Sequence, residues 1–400
     1  MNETIQRWYA HICTLVEECP QRGSTTEGER QAAAYAARVF EQAGYTPTTD
    51  RYPAARSSFQ VYVIFGGLMI AAFVAYSLGG VAGRVAAIGL SGLSLFSISR
   101  ELTFRSNPIR RLIAFGESQN VHAVLEPSGE HTQDLILMGH LDVMRTPVFF
   151  RHRRLVDIWR VYAVITIFTF FIAFTLYSVS LFSDGILIRQ FGMFNAVMSL
   201  ILVAINVQAD LTPYSPGAND NATGAAMVLT LAEVLRSNPL EKTRVWFVAS
   251  GCEEVKHYGA IDFFKRYAPQ FKNPKALVFE MLGTAGPGWL AREGVVYPFL
   301  TRAAPELVAL CEEIAAEQPH WKASGTRVSG GNTEMSDAIR YGVPAVTIIG
   351  ITADAVRLGY RGEELYWHRP DDTPDKLNPE VMARAYGFIR ALIDRIDGRG

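Results

Sequence analysis

Four long apolar segments constrain the fold of this 400-residue chain more than any other feature. Residues 61–80 and 161–182 carry no charge, and each matches the roughly 20 apolar residues that span a bilayer. Residues 85–99 and 191–207 follow them closely and are shorter. An apolar segment in lipid must satisfy its own backbone polar groups, so it crosses as a helix. The pattern predicts two transmembrane hairpins, with buried core or interfacial helices as the alternative for the shorter segments.

Arginines beside the hairpins predict which way the hairpins face. Basic residues flank the points where the chain enters or leaves a hairpin: Arg51, Arg56, Arg100, Arg105, Arg110, Arg111, Arg151, Arg153, Arg154 and Arg160. The loops inside the hairpins contain only Arg84 and Arg189 as basic residues. Because basic flanks stay on the cytoplasmic side, we expect an integral protein of a bacterial inner membrane whose polar parts face the cytoplasm.

The roughly 300 residues outside the hairpins suffice for one large domain. Short apolar runs alternate there with amphipathic stretches. The runs predict strands at 120–126, 134–139, 243–249, 276–282 and 344–349, and the stretches predict helices at 3–18, 27–43, 303–317, 378–397 and from 221 onward. Such alternation predicts an α/β fold with a mixed, mostly parallel central sheet. Ligands then bind at the carboxyl ends of the strands.

The domain is predicted to be discontinuous. We expect it in three parts, 1–58, 100–150 and 210–400, interrupted by hairpins at 59–99 and 151–209. The net charge of −1 argues against a nucleic-acid partner. The polar segments therefore predict a single domain that the chain leaves twice to enter the bilayer.

Five residues of the types that bind divalent metals end apolar runs or follow turns. They are His140, Asp220, Glu254, Glu280 and His368, and Glu253 precedes Glu254 directly. Two imidazoles and three carboxylates suffice for two zinc ions with one bridging carboxylate, which leaves the adjacent glutamate as a general base. Each motif alone has an ordinary alternative: a helix N-cap for Asp220, a solvated turn for Glu253 and Glu254, and a surface histidine for His368.

Taken together, these motifs and their order resemble metallopeptidase family 28. This family includes di-zinc aminopeptidases, glutamate carboxypeptidases and glutaminyl cyclases. The resemblance rests on GHLD (139–142), PGANDNATG (216–224), SGCEE (250–254), VFEMLG (278–283), Ser336-Asp337, GVPAV (342–346) and HRPDDTPDKL (368–377). It implies a three-layer α/β/α zinc-aminopeptidase fold that carries four inserted transmembrane helices.

The resemblance also implies roles for the site residues. His140 and Glu280 would bind one zinc, His368 and Glu254 the other, and Asp220 both. Glu253 would be the general base and Asp142 would orient His140. A non-proline cis peptide is implied between Asp220 and Asn221. The family's aminopeptidases usually have aspartate where this chain has Glu280.

These expectations predict a membrane-anchored di-zinc metallohydrolase, in the first place an aminopeptidase, that attacks an amide with a metal-bridging hydroxide. Its substrate would be a peptide or an amphipathic amide reached at the lipid bilayer. Four alternatives stay open: a single-zinc acyl transferase like glutaminyl cyclase, an N-acyl amino acid amidase, an inactive receptor-like relative and a transporter. Tyr360 and Tyr366 are candidates for stabilising the oxyanion. His257 has no assigned role.

Overall fold

The computed structural model describes residues 2–327, 331–350 and 366–398, and the chain forms two compact units. The first unit comprises Met1–Arg56, Phe115–Met144 and Tyr214–Gly400. The second comprises Ser57–Ala114 and Arg145–Pro213. Residues 57–58, 100–114, 145–150 and 210–213, which were predicted to belong to the discontinuous α/β domain, thus fall in the second unit.

Hydrogen bonds explain why the second unit is longer than the predicted hairpins. The Gln60 side chain accepts a bond from the Ala114 backbone N–H at 3.2 Å and donates to Asp210 Oδ2 at 3.0 Å. Thr146 N–H donates to the Pro213 carbonyl at 2.9 Å. The polar residues that flank the apolar runs therefore bond to one another and belong to the same unit as the helices.

One nine-stranded sheet organises the first unit. Its strands are β1 (Thr48–Ala55), β2 (Phe115–Leu125), β3 (Gln133–His140), β4 (Thr243–Ser250), β5 (Lys275–Glu280), β6 (Gly288–Val296), β7 (Phe299–Arg302), β8 (Ser324–Arg327) and β9 (Ala345–Ile349). The strand order is β1-β2-β4-β3-β5-β9-β6-β7, and β8 pairs with β6. The central strands β4, β3, β5 and β9 are parallel, whereas β1, β2 and β7 pair antiparallel.

The predicted mixed α/β class is therefore correct, and the parallel part is its centre. All five predicted strands are present, and β1 overlaps residues 45–52, which the sequence predicts to be extended, but β6, β7 and β8 were not predicted. Strand β6 contains Gly288 and Gly294 and has a register shift between Glu293 and Val296. These interruptions remove the regular alternation that identifies a strand in sequence.

Seven helices accompany this sheet in the part of the chain that the structure describes. They are α1 (Glu3–Glu17), α2 (Glu27–Gln42), α7 (Thr223–Ser237), α8 (Tyr258–Tyr267), α9 (Pro305–Glu317), α10 (Met335–Arg340) and α11 (Pro379–Gly398). Helix α1 starts where the Asn2 side chain accepts the Ile5 N–H. The Trp8 indole donates to the Thr223 carbonyl at 2.9 Å, which fixes α1 against the start of α7.

The second unit consists mainly of four apolar helices. They are α3 (Gln60–Leu78), α4 (Gly80–Leu102), α5 (Arg153–Val179) and α6 (Ile186–Asp210). All four are long and apolar enough to cross a membrane. The two shorter apolar runs thus lie within helices of 23 and 25 residues, because each helix continues into the polar residues beside its run.

Small and polar side chains face one another inside this unit. Asn195 of α6 donates to Thr169 Oγ1 of α5 at 2.9 Å, and Ser94 of α4 donates to the Phe65 carbonyl of α3 at 3.1 Å. Apolar side chains fill the rest of this interior and also cover its outside: Phe65 is fully buried, whereas Phe168 is 64% exposed. Polar contacts between helices that have an apolar outer surface are typical of helices that pack in lipid.

Candidate metal centre

Parallel strand pairing brings three of the predicted ligands to one edge of the sheet. His140 is the last residue of β3 and pairs with Ser250, the last residue of β4. Glu254 lies in the turn that follows β4, and Glu280 ends β5. Because Met138 pairs with Val278 in the neighbouring strand, His140 and Glu280 reach the same level. The carboxyl ends of three strands therefore supply these side chains.

Two groups of three side chains form at this edge. His140, Asp220 and Glu280 make the first group, and Asp220, Glu254 and His368 make the second. Within each group the nearest ligand atoms all lie within 4.8 Å of one another. His140 Nε2 is 3.5 Å from Glu280 Oε2 and 3.7 Å from Asp220 Oδ1. The glutamate side chain, which is longer than the aspartate usual at this position, therefore reaches the group.

The second group shares Asp220 with the first. His368 Nε2 lies 3.3 Å from Asp220 Oδ2 and 3.2 Å from Glu254 Oε2. The two oxygens of Asp220 thus face different histidines. This arrangement suits one carboxylate that bridges two cations.

A tightly bonded loop holds Asp220 in place. The peptide between Asp220 and Asn221 is cis, as the family resemblance implied. The Asn221 side chain donates to the Phe279 carbonyl at 2.7 Å and accepts the Gly224 N–H at 3.0 Å. A Cβ atom at Gly224 would lie 2.3 Å from the Phe279 carbonyl oxygen, so only glycine allows this approach. The loop is thereby fixed against the end of β5.

Asp372 holds the same loop from the other side. Its carboxylate accepts the backbone N–H groups of Asn219 at 2.8 Å and Asp220 at 3.0 Å. Burial raises the pKa of Asp372 to about 7, although the two hydrogen bonds from backbone N–H groups stabilise the carboxylate and act in the opposite direction. Sequence analysis included Asp372 only as part of the HRPDDTPDKL motif. Its hydrogen bonds show that Asp372 supports the loop that carries Asp220.

The donor set fits divalent cations. Asp220 Oδ2 and Glu280 Oε1 are buried and accept no hydrogen bond within the described residues. Burial, followed by repulsion from neighbouring carboxylates, raises the pKa of Asp220 and of Glu254 well above the usual range. Three buried carboxylates at such distances require compensation by protons or by metal ions. Carboxylates and imidazoles are ligands that zinc binds in proteins.

Asp142 lies beside His140, as the prediction requires, and it also holds the turn that follows β4. The His140 ring atom Nδ1 contacts the backbone carbonyl of Asp142 at 3.0 Å, while the Asp142 carboxylate is 3.4 Å away. That carboxylate accepts the backbone N–H groups of Glu253 at 2.9 Å and Glu254 at 3.1 Å. It also accepts the Ser24 hydroxyl at 2.7 Å. Asp142 therefore fixes the turn that carries the two glutamates, because its carboxylate accepts both of their backbone amides.

Glu253 lies between the ligand groups and a second histidine. Its Oε2 atom is 3.7 Å from His140 Nε2, and its Oε1 atom is 3.0 Å from His257 Nε2. His257 Nδ1 in turn lies 2.7 Å from Asp337 Oδ2. Sequence analysis gave His257 no role, although its position four residues after Glu253 was a usable signal.

The two tyrosines predicted near the oxyanion have different outcomes. Tyr360 lies outside the described residues. Tyr366 is half-buried, and the Arg369 guanidinium carbon lies 5.8 Å from the centre of its ring. A role for Tyr366 in stabilising an oxyanion stays a prediction.

Sequence comparison supports the resemblance that the motifs indicated. Residues 203–393 match the model described as Peptidase family M28. This range contains five of the seven predicted site residues, and His140 and Asp142 lie before it. Aminopeptidase YwaD of Bacillus subtilis (strain 168) is 23% identical over 192 residues. That match covers 48% of this chain but only 40% of the length of YwaD.

Solved structures show the fold. A glutaminyl cyclase from Tannerella forsythia superposes with a TM-score of 0.58 at 14% identity, and the match covers 98% of both chains. A zinc aminopeptidase from Bacillus subtilis superposes with a TM-score of 0.57 at 12% identity, covering 98% of this chain and 95% of its own. The chain thus resembles family M28 and has the α/β fold of zinc aminopeptidases.

Proposed function

We propose that this chain is a membrane-anchored di-zinc metallohydrolase that cleaves peptide or amide bonds as an aminopeptidase. The observation that carries this proposal is the pair of three-residue groups that share Asp220. Two groups with one common carboxylate suit two cations, whereas a single-zinc acyl transferase needs only one group. The resemblance to family M28 supports hydrolysis as the reaction class.

The residues of the two groups would hold the ions. His140 and Glu280 would bind the first ion, Glu254 and His368 the second, and Asp220 both. Zinc ions bound there would polarise the amide carbonyl and make a water molecule more acidic. Burial lowers the pKa of His368 to about 4, so its imidazole is neutral at pH 7, which is the form that binds metal.

Glu253 would transfer the proton. Burial opposes its ionisation, but the neighbouring His257 and His140 lower the pKa of the Glu253 carboxyl to about 2. The group is then a carboxylate at neutral pH and is able to accept a proton from the attacking water. It would pass that proton to the leaving amine, as a general base that becomes a general acid.

Substitution of Glu253 tests this function. Glu253→Gln keeps the size of the side chain but cannot accept the proton, so we expect kcat to fall by about 10²–10⁴-fold. Turnover would be measured on aminoacyl and N-acyl amides with detergent-purified protein, with zinc content recorded for each sample. Glu130→Gln, at an exposed position, is the matched control. Unchanged kcat in Glu253→Gln with full zinc content would reject the proposed base.

The four apolar helices support anchoring in the lipid bilayer. The arginines beside the hairpins support a first unit that faces the cytoplasm. In the sequence, α5 begins soon after His140, and α6 ends shortly before Asp220. We therefore propose an amphipathic substrate that is reached at the membrane surface. The same assay tests this with one peptide in lipidated and unlipidated forms. Equal kcat/KM for the two forms in lipid vesicles would count against it.

A further inference from the structure

His257 joins two buried carboxylates beside the candidate centre. The side chain of His257 is 4% exposed, and its ring lies between Glu253 Oε1 at 3.0 Å and Asp337 Oδ2 at 2.7 Å. The backbone N–H of His257 also donates to the Glu253 carbonyl at 2.8 Å. Its φ of 53° is unusual for a residue other than glycine. The local backbone and the ring thus both point toward Glu253.

The partners of its two ring nitrogens determine the protonation state of His257. Ionised carboxylates only accept hydrogen bonds, so both ring nitrogens of His257 must donate. A ring that donates from both nitrogens is an imidazolium. Burial opposes the positive charge of the ring, but Glu253 and Asp337 hold the pKa of His257 well above its usual range. This direction agrees with an imidazolium. Asp337 is itself fully buried and contacts Arg340 at 3.2 Å.

The contact leaves one oxygen of Glu253 for chemistry. Oε1 is bound by His257, and Oε2 lies on the side of His140 at 3.7 Å. A flexible glutamate without such a partner would exchange its two oxygens by rotation. A general base must lie within hydrogen-bond reach of the proton that it takes, so a fixed carboxylate favours the reaction.

We propose that His257, held in turn by Asp337, is a positioning residue that orients the carboxylate of the general base Glu253. This inference rests on the proposed hydrolase activity. Only Glu253 and Asp142 were predicted to take part in catalysis. His257 and Asp337 add two side chains to the site and form a chain of three with Glu253. The alternative is a structural ion pair that only joins the turn after β4 to α10.

Two amide substitutions separate these roles. His257→Gln places an amide N–H near the position of Nε2 and keeps a donor for Glu253. His257→Asn places its amide near Nδ1 and keeps only the contact with Asp337. We expect kcat to fall by about 100-fold in His257→Asn and by about tenfold in His257→Gln, with KM and zinc content unchanged. His122→Gln and His122→Asn, at a buried histidine bonded to Tyr267, are matched controls with wild-type kcat.

Some outcomes would overturn the proposal. Equal kcat in the two His257 variants would show that the donor to Glu253 is irrelevant. Loss of zinc or of the folded state in both variants would assign His257 to structure alone. Asp337→Asn adds a third variant, for which we expect a smaller fall in kcat than for His257→Asn.

A readout that does not depend on activity tests the bridge itself. Nitrogen-15 NMR of histidine-labelled, zinc-loaded protein should show a ring with protons on both nitrogens at pH 7. This signal should disappear in His257→Gln and remain in His122→Gln. A His257 ring with one bare nitrogen would overturn the bridge. If the wild type hydrolyses no amide, the proposed function fails, whereas the spectrum still decides whether the bridge exists.

Discussion

A buried arginine shows how single residues hold the candidate centre together. Arg22 is 1% exposed and donates to the carbonyls of Leu15 at 2.7 Å, Leu141 at 3.0 Å and Gly217 at 3.0 Å. Leu141 follows His140, and Gly217 lies in the loop of Asp220. Burial lowers the pKa of Arg22 to about 10, so it stays charged at pH 7. The planar guanidinium group of Arg22 therefore joins the segment of His140 to the loop of Asp220, and both residues belong to the first group.

We therefore predict that Arg22→Lys weakens the centre although it keeps the charge. An ammonium group cannot reach three carbonyls in this geometry. Hydrogen bonds from charged groups contribute about 1.5–3 kcal/mol each, so the loss of one or two costs about 3 kcal/mol of unfolding free energy. Zinc affinity should fall about tenfold, because residues that support ligands have effects of this size.

Denaturant unfolding and competition with a zinc chelator would measure these two changes. Arg38→Lys, at an exposed position on α2, is the control and should change the unfolding free energy by less than about 0.5 kcal/mol. Wild-type zinc affinity in Arg22→Lys would contradict the proposed role of Arg22 in holding the ligand-bearing segments together.

Among the elements, the parallel strands and the long helices were the most predictable from sequence. Strands β3, β4 and β5 are continuous apolar runs, because both of their faces are buried. His140 and Glu280 end two of these runs, and Glu254 follows the third in the next turn. Their position at one edge of the sheet could therefore be inferred from the sequence. Their closeness to Asp220 and His368 came only from the family resemblance, since both lie in loops far away in sequence.

Other features of the site depend on tertiary contacts that no local pattern encodes. His257 contacts Asp337, which is 80 residues later, and Arg22 contacts Gly217, which is 195 residues later. Asp142 bonds to the amides after β4 because the pairing of β3 with β4 brings them there. An HxD spacing alone therefore indicated the neighbour His140 but not these additional donors to the Asp142 carboxylate.

The apolar outer face of α5 gives a prediction at the scale of elements. Phe168 lies near the middle of α5 and is 64% exposed. If this face contacts lipid, Phe168→Arg costs about 2.5–3.5 kcal/mol of insertion free energy. The amount of protein in the membrane fraction should then fall severalfold. On a water-facing surface, the same change would be harmless.

A matched substitution outside the second unit serves as the control. Phe299 in β7 is 56% exposed, and Phe299→Arg should leave the membrane fraction unchanged. Equal amounts of both variants in the membrane fraction would argue that α5 does not face lipid.

At the scale of the whole molecule, the proposed orientation places the first unit in the cytoplasm and the loop between α5 and α6 outside. Glu130 and Ser183 are exposed, the first after β2 and the second in that loop. In intact cells, a membrane-impermeant thiol reagent should label Ser183→Cys and should spare Glu130→Cys until the cells are permeabilised. Wild-type protein sets the background. Labelling of Glu130→Cys alone in intact cells would reverse the orientation.

The account as a whole depends on a two-metal centre bridged by Asp220. Zinc content per chain in detergent-purified protein tests this most directly, with His140→Ala, His368→Ala and Asp220→Ala measured beside the wild type. We predict two zinc ions in the wild type, one in each histidine variant, and less than one in Asp220→Ala. A wild type that holds a single zinc, lost in His368→Ala but retained in His140→Ala, would contradict the two-metal account.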